Sequence, residues 1–321
     1  MDPASLMDTV RTSSPTDAAS FLRRGQLVAF PTETVYGLGA DVFQPEAVES
    51  IFEAKGRPAD NPLIVHLATL AQVSAVAAEV PTTANRLLEH FSPGPLTLIL
   101  PKHPDVPSVV TAGLDTVGVR LPRHEVARAF LRACDTPVAA PSANRSGRPS
   151  PTTWEAVAED LDGRIACILQ GGRTEAGVES TVLDCTTDPP VVLRPGAVSV
   201  EALEGVVGTV RVGNGEGDEG AKSPGTRHRH YAPAARVHLI HEPAEVERSA
   251  AAGYIGLSEP DRKAAFRDCH VVPDVETYAR DLFHFFRECD RSGCTMIFAQ
   301  TVPDDGLGRA LNDRLRRAAA R

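Results

Sequence analysis

Two cations two residues apart, Lys55 and Arg57, end a short amphipathic segment, with Gly56 between them and Pro58 behind. A lysine point charge beside a planar guanidinium fork suits an anion with many oxygens, such as a triphosphate. Gly56 and Pro58 fix a turn that gives both cations a direction. The plainer reading is a pair of charges complementing the carboxyl end of a helix. Far along the chain, Pro141-Ser142-Ala143-Asn144 follows an apolar run. Ser142 and Asn144 there offer a hydroxyl, an amide and backbone N–H groups to the same kind of anion. Taken singly they equally suit a turn or a helix cap. Ser146-Gly147-Arg148-Pro149-Ser150-Pro151 extends that loop with more donors.

Other residues have chemistry and a bland alternative side by side. His66 lies in Leu63–Leu67, where strand alternation puts it on one face with Ile64. It is either a satisfied core histidine or a pocket residue. Arg120 ends the run Val117–Val119; it either clamps a carboxylate or forms a surface ion pair. Gly37-Leu38-Gly39 is only a fragment of a dinucleotide fingerprint. His228, His230 and Tyr231 could serve a metal, an RNA or a lid. Two histidines at i, i+2 without a nearby cysteine or carboxylate make a poor metal site. A segment bounded by proline and glycine and carrying a tyrosine suits a lid.

The elements that must position these groups alternate in type. Strands are expected at Gln26–Pro31, Pro62–Leu67, Leu96–Leu100, Val117–Leu121, Val138–Ala140, Ala166–Gln170, Ser180–Asp184 and Val191–Arg194. Helices are expected at Pro45–Ala54, Glu125–Cys134 and Thr153–Leu161. In Glu125–Cys134 the residues Val126, Ala129, Phe130 and Ala133 form one apolar face. The order is not a clean βαβ repeat, so the spacing predicts a twisted mixed sheet in an irregular α/β domain.

Residues 1–14 read as a flexible tail, 15–210 as the first domain and 211–235 as a glycine-rich linker and lid. Residues 236–321 read as a smaller Rossmann-like parallel α/β domain. Its strands are expected at Val237–Ile240, Tyr254–Leu257, His270–Val272 and Thr295–Ala299, and its helices at Pro243–Ala251, near 260–267, at Val275–Cys289 and at Gly306–Arg317.

The chain has 321 residues, 42% hydrophobic and 23% charged, ordinary for a water-soluble globular protein. Its net charge of −9 arises entirely within residues 1–210. That balance argues against a broad grip on nucleic acid and for positive charge focused in a pocket. Six cysteines without a CxxC pair imply reduced thiols and a cytoplasmic location. No run approaches the ~18 apolar residues of a membrane span, and no secretory signal opens the chain.

Taken in order, PTETVYGLG, KGRPADNPLIVH, SPGPLT, VGVRLP, PSANRSGRPSPT, ESTVLD, LRPG and SPGTRHRHYAP resemble the YrdC-like family in its longer two-domain form, the threonylcarbamoyl-AMP synthases. The resemblance covers about Gly25 to Pro233 by motif; the carboxy-terminal domain matches by position and pattern. It implies a first domain with a large open concave face. It also implies synthesis of L-threonylcarbamoyladenylate and pyrophosphate from L-threonine, bicarbonate or CO2, and ATP with Mg2+, feeding N6-threonylcarbamoyladenosine in tRNA through a downstream transferase complex. By motif, Thr34, His66, Arg120, the Ala140 backbone and Ser180 would surround threonine. Arg57, Asn61, Thr116, Ser142, Ser150, Arg194 and Tyr231 would hold ATP, with Lys55 and Asn144 completing the phosphate site. No protein ligand for a metal is implied. A double-stranded RNA or tRNA-binding module, or another carbamoyl-adenylate enzyme, is the alternative reading.

Overall fold

The computed structural model describes residues 8–213, 222–223, 231–245, 251–260 and 266–320. Its strands are β1 (Val10–Thr12), β2 (Val28–Phe30), β3 (Gly37–Asp41), β4 (Ile64–His66), β5 (Leu96–Pro101), β6 (Thr116–Arg120), β7 (Val138–Ala139) and β8 (Cys167–Leu169). Then follow β9 (Thr181–Asp184), β10 (Val191–Arg194), β11 (Arg211–Val212), β12 (Arg236–Ile240), β13 (Ala252–Gly256), β14 (Asp268–Val271) and β15 (Met296–Gln300). The first eleven form one sheet in the order β1-β8-β2-β3-β7-β4-β6-β5-β9-β10-β11. Parallel and antiparallel pairs mix within it: β4 and β6 run parallel, whereas β7 runs antiparallel to β4. β12-β15-β13-β14 form a second, wholly parallel sheet. Both fold classes expected from the sequence are therefore present.

Local sequence explains the main helices. Helix Trp154–Leu161 starts where the Thr153 hydroxyl accepts from Ala156 N–H at 3.3 Å, and helix Val275–Ser292 where Asp274 accepts from Thr277 N–H at 2.7 Å. Helix Pro45–Lys55 opens on proline and stops at Gly56, which is left-handed at φ 61°. One large apolar core lies under this helix and helix Thr82–Phe91. A smaller core fills the other side, where helix Pro15–Arg23 packs on helix Glu125–Cys134.

Several expectations are corrected. Residues 10–12 are not tail: they form β1, paired in parallel with β8. The buried face of helix Glu125–Cys134 is Ala127, Phe130, Leu131 and Cys134, while Val126, Ala129 and Ala133 are half-buried. That stripe satisfies the same i, i+3, i+4, i+7 spacing one residue later. Arg211 and Val212 belong to the first sheet, pairing with β10, rather than to a linker. The rest of that linker, with His228 and His230, lies largely outside the described residues. So does most of the expected helix Pro243–Ala251, of which Pro243–Glu245 is a 3-10 turn. Residues 261–265 of the helix expected near 260–267 lie outside as well.

The two domains are clamped by a buried ion pair. Arg287 on helix Val275–Ser292 donates to Asp160 of helix Trp154–Leu161 at 2.8 Å and to Pro149 O at 2.6 Å. The Asp160 side chain is wholly shielded from solvent and the Arg287 side chain nearly so. Removing one partner of a buried pair strands the other charge. Arg287→Met is therefore expected to cost about 3 kcal/mol of unfolding free energy, the low end of that effect because Arg148 still reaches Asp160. A denaturant titration checks it; an unchanged midpoint would show that the clamp contributes nothing.

Candidate functional site

Strand ends and the loops that leave them build one partly open cleft lined by charged, hydroxyl and apolar side chains. The β2–β3 connection supplies Thr32 and Thr34; β4 supplies Ile64 and His66; β6 supplies Arg120; and the chain leaving β7 supplies Ala140, Pro141 and Ser142. Glu179 and Ser180 enter from the start of β9, Arg194 from the end of β10, Arg57 from beyond helix Pro45–Lys55, and Tyr231 from beside the second domain. Residues from eight segments thus meet at one place.

One pole is an ordered chain of donors. Arg120 donates to Glu33 at 2.8 Å, to Thr34 Oγ1 at 2.9 Å and to Gly94 O at 3.4 Å. A guanidinium has five N–H groups, so two remain for a ligand. Thr32 donates to Val35 O at 2.6 Å, so Thr34, 2.8 Å away, donates to Thr32 and accepts from Arg120. Burial alone would raise the Glu33 pKa, but the Arg120 charge and hydrogen bonds outweigh it and the net shift is downward. Arg120 is thus neither a surface ion pair nor a lone clamp: Glu33 neutralises and aims it. Sequence reasoning missed Glu33, although it lies inside the PTETVYGLG segment.

His66 packs edge-on to Phe30 with ring centroids 5.8 Å apart, and its Nδ1 lies 3.2 Å from Ile64 O. In the tautomer that satisfies this bond, Nδ1 donates and Nε2 keeps an acceptor lone pair. Burial, then the nearby Arg120 charge, pushes the His66 pKa down to about 3. A histidine with a depressed pKa contributes stability that is lost as pH falls below its unfolded value of about 6.5, because the unfolded chain then takes up the proton first. The His66 ring resonances are accordingly expected to stay unprotonated down to about pH 4 in the folded protein. A midpoint near 6.5 in an NMR titration would contradict the burial argument.

The other pole is cationic. Arg194 donates to Ser180 O at 2.9 Å and to Ser180 Oγ at 3.1 Å, and Ser180 Oγ lies 2.8 Å from Thr97 Oγ1. Gly196 permits this approach: a Cβ there would lie 2.2 Å from Thr181 N and 2.3 Å from Ser180 C. Arg57 donates through Nη2 to Asn61 O and Pro62 O at 3.3 and 3.2 Å. Its Nε and the Asn61 Oδ1 are buried polar atoms without a protein partner. Such atoms fit a bound polar ligand. Burial lowers the Arg57 pKa to about 10, so the guanidinium stays charged at neutral pH.

Lys55 and the Ser142–Asn144 turn are arranged differently from the sequence expectation. Lys55 Nζ donates to Ser142 O at 2.6 Å and also to Asn144 O, behind the cleft wall. Burial and the Arg57 charge lower its pKa well below the usual value. Ser142 Oγ donates to Asn144 Oδ1 at 2.5 Å, and the Asn144 amide donates to Arg145 O and Arg148 O at 2.8 and 3.0 Å. Of this set Ser142 lines the cleft, while Lys55 and Asn144 brace the loop. Asn61 and Ser150 stand behind the cleft wall. Thr116 shares the strand face of Arg120, four residues upstream and outside the lining.

The Sua5_yciO_yrdC family model, described as telomere recombination, matches residues 20–196. A model described as threonylcarbamoyl-AMP synthase, C-terminal domain, matches residues 198–320. The chain is 48% identical to a Pyrococcus abyssi protein named threonylcarbamoyl-AMP synthase, over 94% of this chain and 93% of the relative. A Bacillus subtilis protein of the same name is 45% identical over 97% of this chain and 95% of its own length. The structure of P. abyssi Sua5 complexed with L-threonine matches with a TM-score of 0.87 and 45% identity, covering 98% of each chain. Matched across both of its domains, the chain belongs to the two-domain threonylcarbamoyl-AMP synthase family.

Proposed function

We propose that the chain makes L-threonylcarbamoyladenylate and pyrophosphate from L-threonine, bicarbonate or CO2, and ATP, supplying the intermediate for N6-threonylcarbamoyladenosine in tRNA. The observation that carries this reading is one cleft with a carboxylate-seeking pole at Arg120 and a phosphate-seeking pole at Arg57 and Arg194. Relatives that match nearly the whole chain bear the synthase name, and one was solved with L-threonine.

In this reading the two remaining N–H groups of Arg120 take the amino-acid carboxylate. Thr34 and Ser180 meet the polar groups of threonine, and His66 Nε2 accepts from its amine or hydroxyl. A ring whose pKa is about 3 is too weak a base to carry the amine's proton at neutral pH, so His66 orients the nucleophile. The neutral amine adds to CO2 and releases its proton to water, giving a carbamate, and a carbamate oxygen attacks the α-phosphorus and expels pyrophosphate. Arg57 and Arg194 offset the charge that builds on the leaving group. Lys55 and Asn144 act by holding the turn that carries Ser142, and Asn61 acts from behind the wall by accepting from Arg57 through its carbonyl.

Mg2+ would arrive on the triphosphate and neutralise its charge. The cleft fits that role better than a protein-held ion, because Glu179 is already committed to two partners and Glu33 to Arg120. Ser150 and Thr116, which do not line the cleft, serve the nucleotide in this reading only by supporting Glu179 and the Arg120 strand. All six cysteines are free thiols, as a reducing cytoplasm requires. No helix among the described residues is long and apolar enough to cross a membrane. The product would pass to a transferase complex that meets tRNA, so this chain contacts tRNA only indirectly.

The test is mass-spectrometric detection of the adenylate after incubation with threonine, bicarbonate, ATP and Mg2+. The expected product must disappear when threonine is replaced by valine, whose missing hydroxyl leaves buried partners unpaired. A gel shift with tRNA in the absence of any adenylate would instead favour an RNA-binding module.

A further inference from the structure

We propose that Arg314 of the second domain is a positioning residue of the cleft: it fixes the Glu179 carboxylate and the Tyr231 ring, so the carboxy-terminal domain sets nucleotide affinity. The inference rests on reading the cleft as the ATP site. Arg314 lies on helix Gly306–Ala319 and is fully buried, yet it does not line the cleft. Its contacts reach the cleft's wall. Nε donates to Glu179 Oε2 at 2.7 Å, and Nη2 donates to Pro195 O at 3.0 Å, next to Arg194. Its guanidinium carbon lies 5.1 Å from the centroid of the Tyr231 ring. Tyr231 stacks on Phe283 at 5.3 Å and holds a positive φ of 68°, so its pose depends on its surroundings.

An apolar side chain would fill that space at less desolvation cost than a guanidinium, so packing alone does not account for an arginine there. What arginine adds is a fixed, charged grip on Glu179. The other Glu179 oxygen accepts from Ser150 Oγ at 2.6 Å. Ser150 is fully buried behind the cleft wall, so this bond braces Glu179 from the side away from the ligand. Arg314 and Ser150 thereby fix Glu179 from two sides, and Tyr231 is held beside Arg314.

The charged and titratable groups around Glu179 are Arg314, Arg194 and Tyr231, with Ser150 as the neutral donor and Asp313 paired to the far side of Arg314. Burial raises the Glu179 pKa, but Arg314, then Arg194, then Ser150 bring it below the ordinary value. Without Arg314 only Arg194 and Ser150 still oppose the effect of burial, so the Glu179 pKa should rise.

The experiment compares wild type, Arg314→Met, Arg314→Lys and the double variant Arg314→Met with Glu179→Gln. Steady-state adenylate synthesis is followed from pH 5 to 9, and ATP-dependent thermal shifts are recorded in parallel. Arg314→Met is expected to raise the KM for ATP about tenfold or more, leaving the KM for threonine within roughly twofold. It should also add an ionisation to kcat/KM for ATP that wild type lacks. The double variant should lose that ionisation, and Arg314→Lys should lie between wild type and methionine. Equal rises in both KM values, or an ionisation that survives Glu179→Gln, would overturn the inference. If Arg314→Met does not fold, Arg314→Lys decides: a wild-type KM for ATP overturns it. If wild type makes no adenylate, the functional reading fails; the thermal shifts then decide, since an ATP response equal in wild type and variants rejects the role of Arg314.

Discussion

Arg120→Met is expected to abolish detectable threonine-dependent adenylate formation and to cost about 3–5 kcal/mol of stability. The two losses have different causes. Stability falls because Glu33, almost wholly buried, loses the cation that offsets its burial and keeps only backbone N–H donors, Arg123 N–H at 3.1 Å among them. Activity falls because the groups that would seat the amino-acid carboxylate are gone, and the Thr34–Thr32 chain loses its donor. Pairing Arg120→Met with Glu33→Gln separates the causes. The double variant should recover much of the lost stability, because a neutral amide costs less to bury than a lone carboxylate. It should recover no activity. Denaturant midpoints and product mass spectrometry on the same preparations check both halves; recovered activity would place the carboxylate elsewhere.

The second large effect is expected at Arg57. Arg57→Ala should lower kcat/KM for ATP by about 10²–10³-fold, the size of one lost donor at a developing charge. Folding should suffer less than at Arg120, because no buried carboxylate is orphaned: the Arg57 hydrogen bonds go to the carbonyls of Asn61 and Pro62. Arg57→Lys should recover only part of the rate, since a point charge cannot reproduce the planar fork. ATP–pyrophosphate exchange in the presence of threonine and bicarbonate reads this step directly. An alanine variant within threefold of wild type would remove Arg57 from the phosphate site.

Most of the strands that bear the cleft could be read from the sequence, because each is a short apolar run closed by Gly, Pro or a polar turn. The expected strand Val117–Leu121 lies one residue from the observed Thr116–Arg120, the expected Pro62–Leu67 encloses the shorter Ile64–His66, and their parallel pairing puts His66 opposite Arg120. The parallel second domain was equally legible from its alternation. What escaped were partners chosen by distant charges. Glu179 and Arg314 are 135 positions apart, and no local pattern joins them. Lys55 shows the same limit. Spacing revealed two cations on one turn, but only the packed loop shows that Lys55 faces main-chain carbonyls while Arg57 faces the cleft. The rotated face of helix Glu125–Cys134 has another cause: alanines at 127, 129 and 133 fit either stripe, so tertiary packing made the choice.

The long mixed sheet ends, among the described residues, in β1 at one side and β11 at the other, strands of three and two residues carrying Arg11 and Arg211. Unpaired strand margins invite another chain to add on, and short, charged margins discourage it. Both flanks of the sheet therefore carry features that oppose edge-to-edge addition of a second chain. Exchanging both arginines for valine should leave turnover intact while turning concentrated solutions turbid.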